Sequence, residues 1–211
     1  MVPTREEMHL ALVQRHGQAL QAKFDAGRVA ICGLGGLGSN VAIALARAGV
    51  GFLHLIDFDR VDLSNLNRQQ YTVDQLGMYK TDALAELLGQ IAPYCDLRTD
   101  RVEITEENLP DLLAEDDIIC EAFDRPEAKA MLVSGVLERF PEKPLVAASG
   151  MAGLGSANTI RTRRAFGRLY LCGDETSDSA GGLGLVSARV LVCAAHQAHM
   201  VLRLLAGETD P

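Results

Sequence analysis

The sequence predicts an α/β fold, namely a Rossmann-like, doubly wound and mainly parallel sheet with helices on both faces. Short apolar runs, such as residues 28–32 and 145–148, alternate with longer segments whose apolar residues recur at helical spacing. A glycine-rich turn at 33–38 joins the first run to the first such segment, as in a βαβ unit. The chain has 211 residues, 48% of them apolar and 23% charged, and we expect one domain over residues 1–211.

The N-terminal part predicts one complete βαβ unit. A leader helix over 6–24 precedes the strand at 28–32, and after the glycine turn a helix over 39–47 leads to a second strand at 51–57. A polar loop then runs over residues 59–79. Because this loop is too long for an ordinary connection, we expect it to be functional.

The remaining chain continues the alternation of strands and helices. Pro126 suits the first turn of a helix, which places Asp124 at the C-terminal end of the preceding strand. We expect helices over 80–91, 106–113, 126–139 and within 183–205. We expect strands over 97–104, 117–123, 145–148, 158–162 and 168–172. A glycine-rich loop over 173–184 is expected to be mobile.

Composition argues against several classes of function. A net charge of −8 argues against a nucleic-acid backbone as the main partner, because phosphate binding needs a basic face. The first residues lack the apolar run of a signal peptide, and the apolar stretch 183–205 carries arginines and histidines, so we expect no membrane span and a cytoplasmic location. The five cysteines include no Cys-x-x-Cys pair, so we expect neither a disulfide framework nor a four-cysteine zinc site.

The glycine turn carries the clearest chemical signal. Gly33-x-Gly35-x-x-Gly38 follows a strand and opens a helix, and Asp57 ends the next strand. Glycines let the backbone approach phosphates, a helix N-terminus offers unpaired N–H groups, and the acid can bind ribose hydroxyls. The pattern predicts a nucleotide site. A tight turn without a ligand is the alternative, and the glycines do not decide between NAD and ATP.

Further motifs accompany this turn: Gly-Leu-Gly-Gly-Leu-Gly-Ser at 33–39, Ala-Gly-Val-Gly at 48–51, Asp-Phe-Asp-x-Val at 57–61, Ser-Asn-Leu-Asn-Arg-Gln at 64–69 and Gly-Met-Tyr-Lys at 77–80. In this order, and with Asp124, they resemble the signature of the ThiF/MoeB adenylyltransferases, which are relatives of the ubiquitin-activating enzymes. The resemblance covers most of the first 150 residues. The last helix, with His-Gln-Ala-His at 196–199, looks most like a short branch from thiamine biosynthesis.

The resemblance implies an enzyme that uses ATP and magnesium to adenylate the C-terminal carboxylate of a ubiquitin-like sulfur carrier protein ending in Gly-Gly. This step needs no side-chain nucleophile or general base, because the attacking carboxylate is already ionised. Charged side chains must instead position the reactants and neutralise the phosphates. Relatives pair through their last region, and the last helix here is apolar on more than one face, so we expect a homodimer.

The family's functional residues carry over onto matching positions of this chain. Arg68 and Lys80 match its phosphate-contacting residues, Asp124 its magnesium-holding carboxylate, and Asp57 its ribose-binding acid. Arg15 lies in the leader helix, from which relatives send an arginine into the neighbouring subunit's ATP site. The other nucleotide-lining positions are Gly33, Gly35, Gly36, Gly38, Ser64, Asn65, Asn67 and Asp59, of which the last fits a cap of the polar loop equally well.

Two features depart from the family pattern or are optional within it. Many relatives hold structural zinc with two Cys-x-x-Cys pairs, which this chain lacks, so we predict no metal other than magnesium. Some relatives pass the activated carrier to a cysteine. Cys172, beside the glycine-rich loop, is the candidate thiol, because Cys32 and Cys120 lie in predicted core strands.

Three other functions share parts of this pattern. A tRNA-modifying dehydratase adenylates a small carboxylate within the same family, although the acidic charge and the lack of an obvious basic tail argue against it. An NAD(H) oxidoreductase would use the same turn and Asp57, but gives Arg68, Lys80 and Asp124 no purpose. A non-catalytic binding scaffold is disfavoured because the charged set is complete.

Overall fold

The computed structural model describes residues 2–178 and 183–211. The strands are β1 (Arg28–Cys32), β2 (Phe52–Ile56), β3 (Asp96–Asp100), β4 (Ile118–Glu121), β5 (Leu145–Ala148), β6 (Arg161–Phe166) and β7 (Leu169–Gly173). The α-helices are α1 (Arg5–His16), α2 (Gln18–Ala26), α3 (Gly38–Ala48), α4 (Lys80–Ile91), α5 (Leu109–Leu112), α6 (Pro126–Arg139) and α7 (Ser187–Ala206).

The seven strands form one sheet in the order β3-β2-β1-β4-β5-β7-β6. Neighbouring strands are parallel except for β6, which pairs antiparallel with β7 at one edge. From β1 the chain first builds the sheet in one direction and then returns to add β4 on the other side. This reversal leaves a crevice at the C-terminal ends of the central strands. The predicted Rossmann-like α/β fold is confirmed.

Helices cover both faces of the sheet, which divides the apolar side chains between two cores. Alternate residues of β1 face opposite sides. Ile31 belongs to the core with α3, α4 and α7, whereas Cys32 belongs to the core with α5 and α6. Strands buried on both faces have continuous apolar sequences, which explains the runs at 28–32 and 145–148.

The prediction of one leader helix over 6–24 is wrong in one respect, because the chain forms two helices there, α1 and α2. Gly17 separates α1 from α2 with a positive φ of 81°. Its N–H donates to Val13 O and ends α1, and the side chain of Gln21 in α2 then donates to Gly49 O at the end of α3. Glycine adopts a positive φ readily, whereas other residues resist it.

Other elements agree with the predictions to different degrees. α4, α6 and β5 have the predicted bounds. β3 ends at Asp100, earlier than predicted, and α5 is a single turn rather than a helix over 106–113. β6 begins at Arg161 rather than at 158, because Ser156 accepts a hydrogen bond from Asn158 N–H and caps a short 3₁₀ turn.

The predicted glycine-rich loop connects β7 to α7. Residues 179–182 of this loop lie outside the described residues, whereas 174–178 and 183–186 lie within them. Within the described residues, no helix is long and apolar enough to cross a membrane. α7 buries Cys193 against the sheet and leaves Leu191 about half exposed, as in an amphipathic helix.

Candidate nucleotide-binding site

A cavity of about 870 Å³ opens at the C-terminal edge of the sheet, where β1, β2, β4 and β5 end. This is the crevice that the strand order creates. Nine of the predicted site residues line it: Gly33, Gly35, Gly36, Asp57, Asp59, Asn65, Arg68, Lys80 and Asp124. Residues that are far apart in the sequence therefore meet at one edge of the sheet.

The glycines of the turn divide into two kinds by their surroundings. A Cβ on Gly38 would lie 1.8 Å from Gly33 O, and one on Gly33, whose φ is +92°, would lie 2.9 Å from Ala122 O. These two glycines are needed for the close packing of turn, helix and sheet. A Cβ on Gly35 would lie 3.8 Å from its nearest neighbour, a side-chain nitrogen of Gln69. The space beside Gly35 is therefore open to a ligand.

Gly36 lies where the turn contacts the polar loop. A Cβ there would approach the Cγ of Arg68 and a methyl group of Val190 to 3.1 Å each. Asn40, in the first turn of α3, donates to Gly36 O and to Arg68 O, at 2.6 and 3.2 Å. Asn40 was not among the residues predicted from the sequence, although a buried asparagine near a helix N-terminus indicates a specific hydrogen-bonding role.

Asp57, Asp59 and Lys80 form a charged cluster at the end of β2. The Asp57 carboxylate accepts hydrogen bonds from the backbone N–H groups of Leu34 and Asp59, each at 2.7 Å. Lys80 begins α4 and is only 6% exposed. Its Nζ lies 2.7 Å from Asp59 Oδ2 and 3.7 Å from Asp57 Oδ2. These two carboxylates compensate the burial of the ammonium group.

The polar loop holds the guanidinium of Arg68 in place. Asn65 Oδ1 accepts from it at 3.1 Å, Asn67 Oδ1 at 2.9 Å, and Ser64 O at 3.4 Å. Ser64 and Asn67 do not line the cavity within the described part of the chain, and neither does Gly38. These three residues shape the turn and the loop, and their contact with the nucleotide stays a prediction.

Asp124 follows β4, and its exposed side chain lines the cavity immediately before α6. A single carboxylate fits magnesium, which proteins commonly bind through one or two carboxylates together with substrate phosphates and water. The described residues contain no group of three or more histidines, cysteines, aspartates or glutamates that could hold a metal by themselves.

Two predicted residues lie away from the cavity. Arg15 is exposed on α1 and does not line it. Cys172 lies near the end of β7, beside the glycine-rich loop as predicted, but its side chain is fully buried. Burial raises the pKa of its thiol to about 11, against a smaller lowering by the Thr162 hydroxyl. Its surroundings are those of an unreactive core cysteine and argue against the candidate thiol.

The buried carboxylate of Glu121 and the partly exposed Lys129, neither of them predicted from the sequence, form an ion pair beside the cavity. Lys129 Nζ lies 2.7 and 2.6 Å from the two carboxylate oxygens of Glu121 and donates to Ala148 O at 2.9 Å. Burial raises the pKa of Glu121, while Lys129 and the Phe123 N–H oppose that shift. A glutamate within an apolar strand is the sequence signal for such a partner. The pair fastens α6 to the ends of β4 and β5.

A model of the ThiF family matches residues 7–211. The chain belongs to the ThiF family. It is 40% identical over 113 residues to the molybdopterin-synthase adenylyltransferase of Haemophilus influenzae, a match that covers 53% of this chain and 46% of the relative. It is also 36% identical over 141 residues to the adenylyltransferase and sulfurtransferase uba4 of Aspergillus terreus, with 66% of this chain and 29% of the relative covered. The chain thus spans less than half the length of these two ThiF-family relatives.

A solved structure resembles the whole of this ThiF-family chain. It is that of the E. coli tRNA N6-threonylcarbamoyladenosine dehydratase in complex with ATP. The TM-score is 0.86 at 21% sequence identity, and 98% of each chain is covered. At this identity the likeness concerns the fold alone, and it agrees with the sheet and helices described above.

Proposed function

We propose that the chain is an adenylyltransferase that transfers AMP from ATP to the carboxylate of an acyl substrate and releases pyrophosphate. The observation that carries this proposal is one cavity in which two cations, Arg68 and Lys80, and the Asp124 carboxylate lie beside the glycine turn. An NAD-dependent oxidoreductase needs the turn and Asp57 but has no use for this charged set. The relatives, which are named adenylyltransferases, support the same activity.

The residues of the cavity suit ATP. Asp57 lies at the end of β2, where it can accept hydrogen bonds from ribose hydroxyls, and the open space beside Gly35 lets phosphates approach the N-terminus of α3. Arg68 and Lys80 supply positive charge where the phosphate chain has to be neutralised. Because Lys80 is paired with Asp59, we expect phosphate oxygens to share its ammonium group with that carboxylate.

Asp124 would hold magnesium at the phosphates. When bound, the ion neutralises phosphate charge and withdraws electrons from the phosphorus under attack. The protein's own residues then orient two anionic reactants and shield them from each other. Since the attacking carboxylate is ionised at neutral pH, no residue has to remove a proton from it. The rate enhancement comes from positioning and fixed charge.

For the acyl substrate we propose a ubiquitin-like sulfur carrier protein ending in Gly-Gly. The names molybdopterin-synthase adenylyltransferase and adenylyltransferase and sulfurtransferase support a substrate in sulfur transfer. The resemblance of the His-Gln-Ala-His run at 196–199 to a thiamine-biosynthesis branch supports that pathway, and we also propose a cytoplasmic location. We also propose a homodimer, in which the exposed Arg15 of one subunit reaches the ATP site of the other.

A second candidate function is the adenylation of a small carboxylate on tRNA. Two observations favour it, namely the fold match to the tRNA dehydratase over 98% of both chains and the exposed arginines 161, 163 and 164 of β6 on an otherwise acidic protein. The two functions differ in the class of partner. Carrier-dependent activity without any effect of tRNA supports the first, and the reverse supports the second.

Calorimetric titration and pyrophosphate exchange test the proposed function. The protein with magnesium should bind ATP and show no comparable heat with NAD. A carrier protein ending in Gly-Gly should stimulate exchange of labelled pyrophosphate into ATP, because the first step is reversible. Binding of NAD in place of ATP would refute adenylyl transfer, and exchange driven only by modified tRNA would replace the carrier with the second candidate.

A further inference from the structure

One wall of the cavity consists of two loops that lie next to each other at the C-terminal ends of β5 and β7. The first loop contributes residues 149–152 to the lining, and the second contributes Ser177 and Asp178. Backbone hydrogen bonds join the loops, from Asp174 N–H to Gly150 O at 2.9 Å and from Glu175 N–H to Ser149 O at 3.0 Å. We call residues 149–159 and 174–178 of these two loops the β5–β7 wall.

Arg189 of α7 reaches both loops from behind the wall. It is only 6% exposed, although it is a permanent cation. One of its terminal nitrogens donates to Gly155 O and to Ser156 O of the first loop. The other donates to Thr159 Oγ1, also in the first loop, and to the Asp174 carboxylate in the second loop. A buried arginine with four oxygen partners joins these segments to the helix.

Asp174 extends the connection within the second loop. One carboxylate oxygen binds Arg189, and the other accepts from Thr176 N–H at 2.9 Å and from Ser177 N–H at 2.8 Å. The hydroxyl of Ser177 donates to this second oxygen at 3.0 Å and accepts from Ala152 N–H at 3.0 Å. The hydrogen bonds thus run from α7 through the Arg189–Asp174 pair to residues that face the cavity.

The position of the wall indicates which reactant it serves. The glycine turn, Asp57 and Lys80 follow β1 and β2, on one side of the cavity, and Asp124 follows β4 at its centre. With the nucleotide on the β1–β2 side and its phosphates toward the centre, the space along the β5–β7 wall is left for the acyl substrate. Neither Arg189 nor Asp174 lines the cavity within the described residues, so neither touches the reactants there.

We propose that the Arg189–Asp174 pair is a positioning pair, which holds the β5–β7 wall in the conformation that binds the acyl substrate. This inference rests on the proposed function, since it assigns the β5–β7 side to the acyl group. Disrupting the pair should affect the two substrates differently: use of the acyl substrate should weaken, whereas ATP binding on the opposite side should stay intact. A pair that served only overall stability would affect both alike.

The experiment compares Asp174→Asn and Arg189→Lys with the control Glu142→Gln. Asparagine keeps an acceptor for the loop N–H groups but loses the charge opposite Arg189. Lysine keeps the charge but lacks the two-pronged guanidinium that bridges the loops. Glu142 lies outside the wall and pairs with Arg168 at the surface, so its substitution should change little.

Amide hydrogen exchange of the full chain with ATP and magnesium measures the wall directly. In both test variants the amides of Ala152, Thr176 and Ser177 should exchange about tenfold faster or more, while the amides of Leu34 and Asp59, which bind Asp57, keep their protection. Wild-type protection at the three wall amides in Asp174→Asn would overturn the proposal, whether or not the chain adenylates any carrier.

Pyrophosphate exchange driven by a synthetic peptide ending in Gly-Gly measures the consequence for the reaction. The KM for the peptide should rise about tenfold or more in both test variants, with kcat and the Kd for ATP within about threefold of wild type. An equal loss of ATP and peptide binding would mean that the pair is merely structural. If the wild-type protein shows no pyrophosphate exchange with any carboxylate, the proposed function fails. Amide hydrogen exchange then still decides whether the pair holds the wall.

Discussion

At the scale of single residues, the glycines of the turn lead to opposite expectations for the same substitution. Gly38→Ala should prevent stable folding, because the new Cβ would overlap a backbone oxygen 1.8 Å away. Gly35→Ala should leave the melting temperature nearly unchanged, since its Cβ meets nothing closer than 3.8 Å, but should weaken ATP binding by about tenfold if phosphates approach that backbone. Thermal unfolding and calorimetry separate the two effects. A Gly35→Ala protein that binds ATP normally would place the phosphates elsewhere.

The charged residues of the cavity and the buried thiol should also differ in their effect on AMP transfer. Asp124→Ala and Arg68→Ala should each reduce carrier-dependent pyrophosphate exchange by about a hundredfold or more, the usual scale for lost transition-state electrostatics. Cys172→Ala should retain it, because the thiol is buried in β7 and its pKa is raised to about 11. Exchange that survives Asp124→Ala would assign magnesium to another carboxylate. Exchange abolished by Cys172→Ala in a folded protein would show that the thiol takes part in AMP transfer.

At the scale of the elements, the Glu121–Lys129 pair should stabilise the fold beside the cavity. Lys129→Met leaves a carboxylate buried without its partner and should lower the free energy of unfolding by about 3–5 kcal/mol. Adding Glu121→Gln should recover much of this loss. Arg101→Met, which removes a partly exposed pair with Asp82, is the control and should cost less than about 1 kcal/mol. Urea denaturation measures all three, and equal losses from the two single substitutions would contradict the argument.

The loop after β7 should make stability depend on acidity in a defined direction. Burial alone would raise the pKa of Asp174, but hydrogen bonds from Ser177, Thr176 and Arg189 lower it to about 2, from an ordinary value of 3.8. A lowered pKa stabilises the folded state above pH 3.8, and this contribution is lost as the pH falls toward 2. The difference in melting temperature between wild type and Asp174→Asn should therefore be constant near neutrality and shrink below about pH 4. A difference that grows on acidification would contradict the assignment.

The elements also show which parts of the molecule follow from local sequence. The turn at 33–38, α4 and α6 are predictable because glycine conformation, apolar periodicity and the position of Pro126 act over a few residues. The break at Gly17 is harder to predict, because an isolated glycine is tolerated within many helices. The ion pairs Glu121–Lys129 and Asp174–Arg189 are missed for another reason. Each joins two elements that only the packed fold brings together.

At the scale of the whole molecule, the proposed dimer makes a prediction about Arg15. Light scattering at micromolar concentration should give twice the chain mass of 22.7 kDa. If Arg15 acts across subunits, Arg15→Ala should lower pyrophosphate exchange without dissociating the dimer. Mixing it with an Asp124→Ala protein should restore part of the activity, because a mixed dimer contains one site with both residues intact. A measured mass close to that of one chain, 22.7 kDa, would show a monomer and remove the basis for this role of Arg15.

The exposed arginines of β6 have a consequence for how copies of the chain behave in a crowded solution. β6 is the last strand of the sheet, so its outer backbone groups could pair with another chain and extend the sheet. Arg161, Arg163 and Arg164 would face the same charges on a second copy, and the pairing with β7 is irregular between Arg164 and Phe166. Repulsion and irregularity both disfavour fibrous aggregation at this edge. The strand can thus stay open to solvent without nucleating polymers.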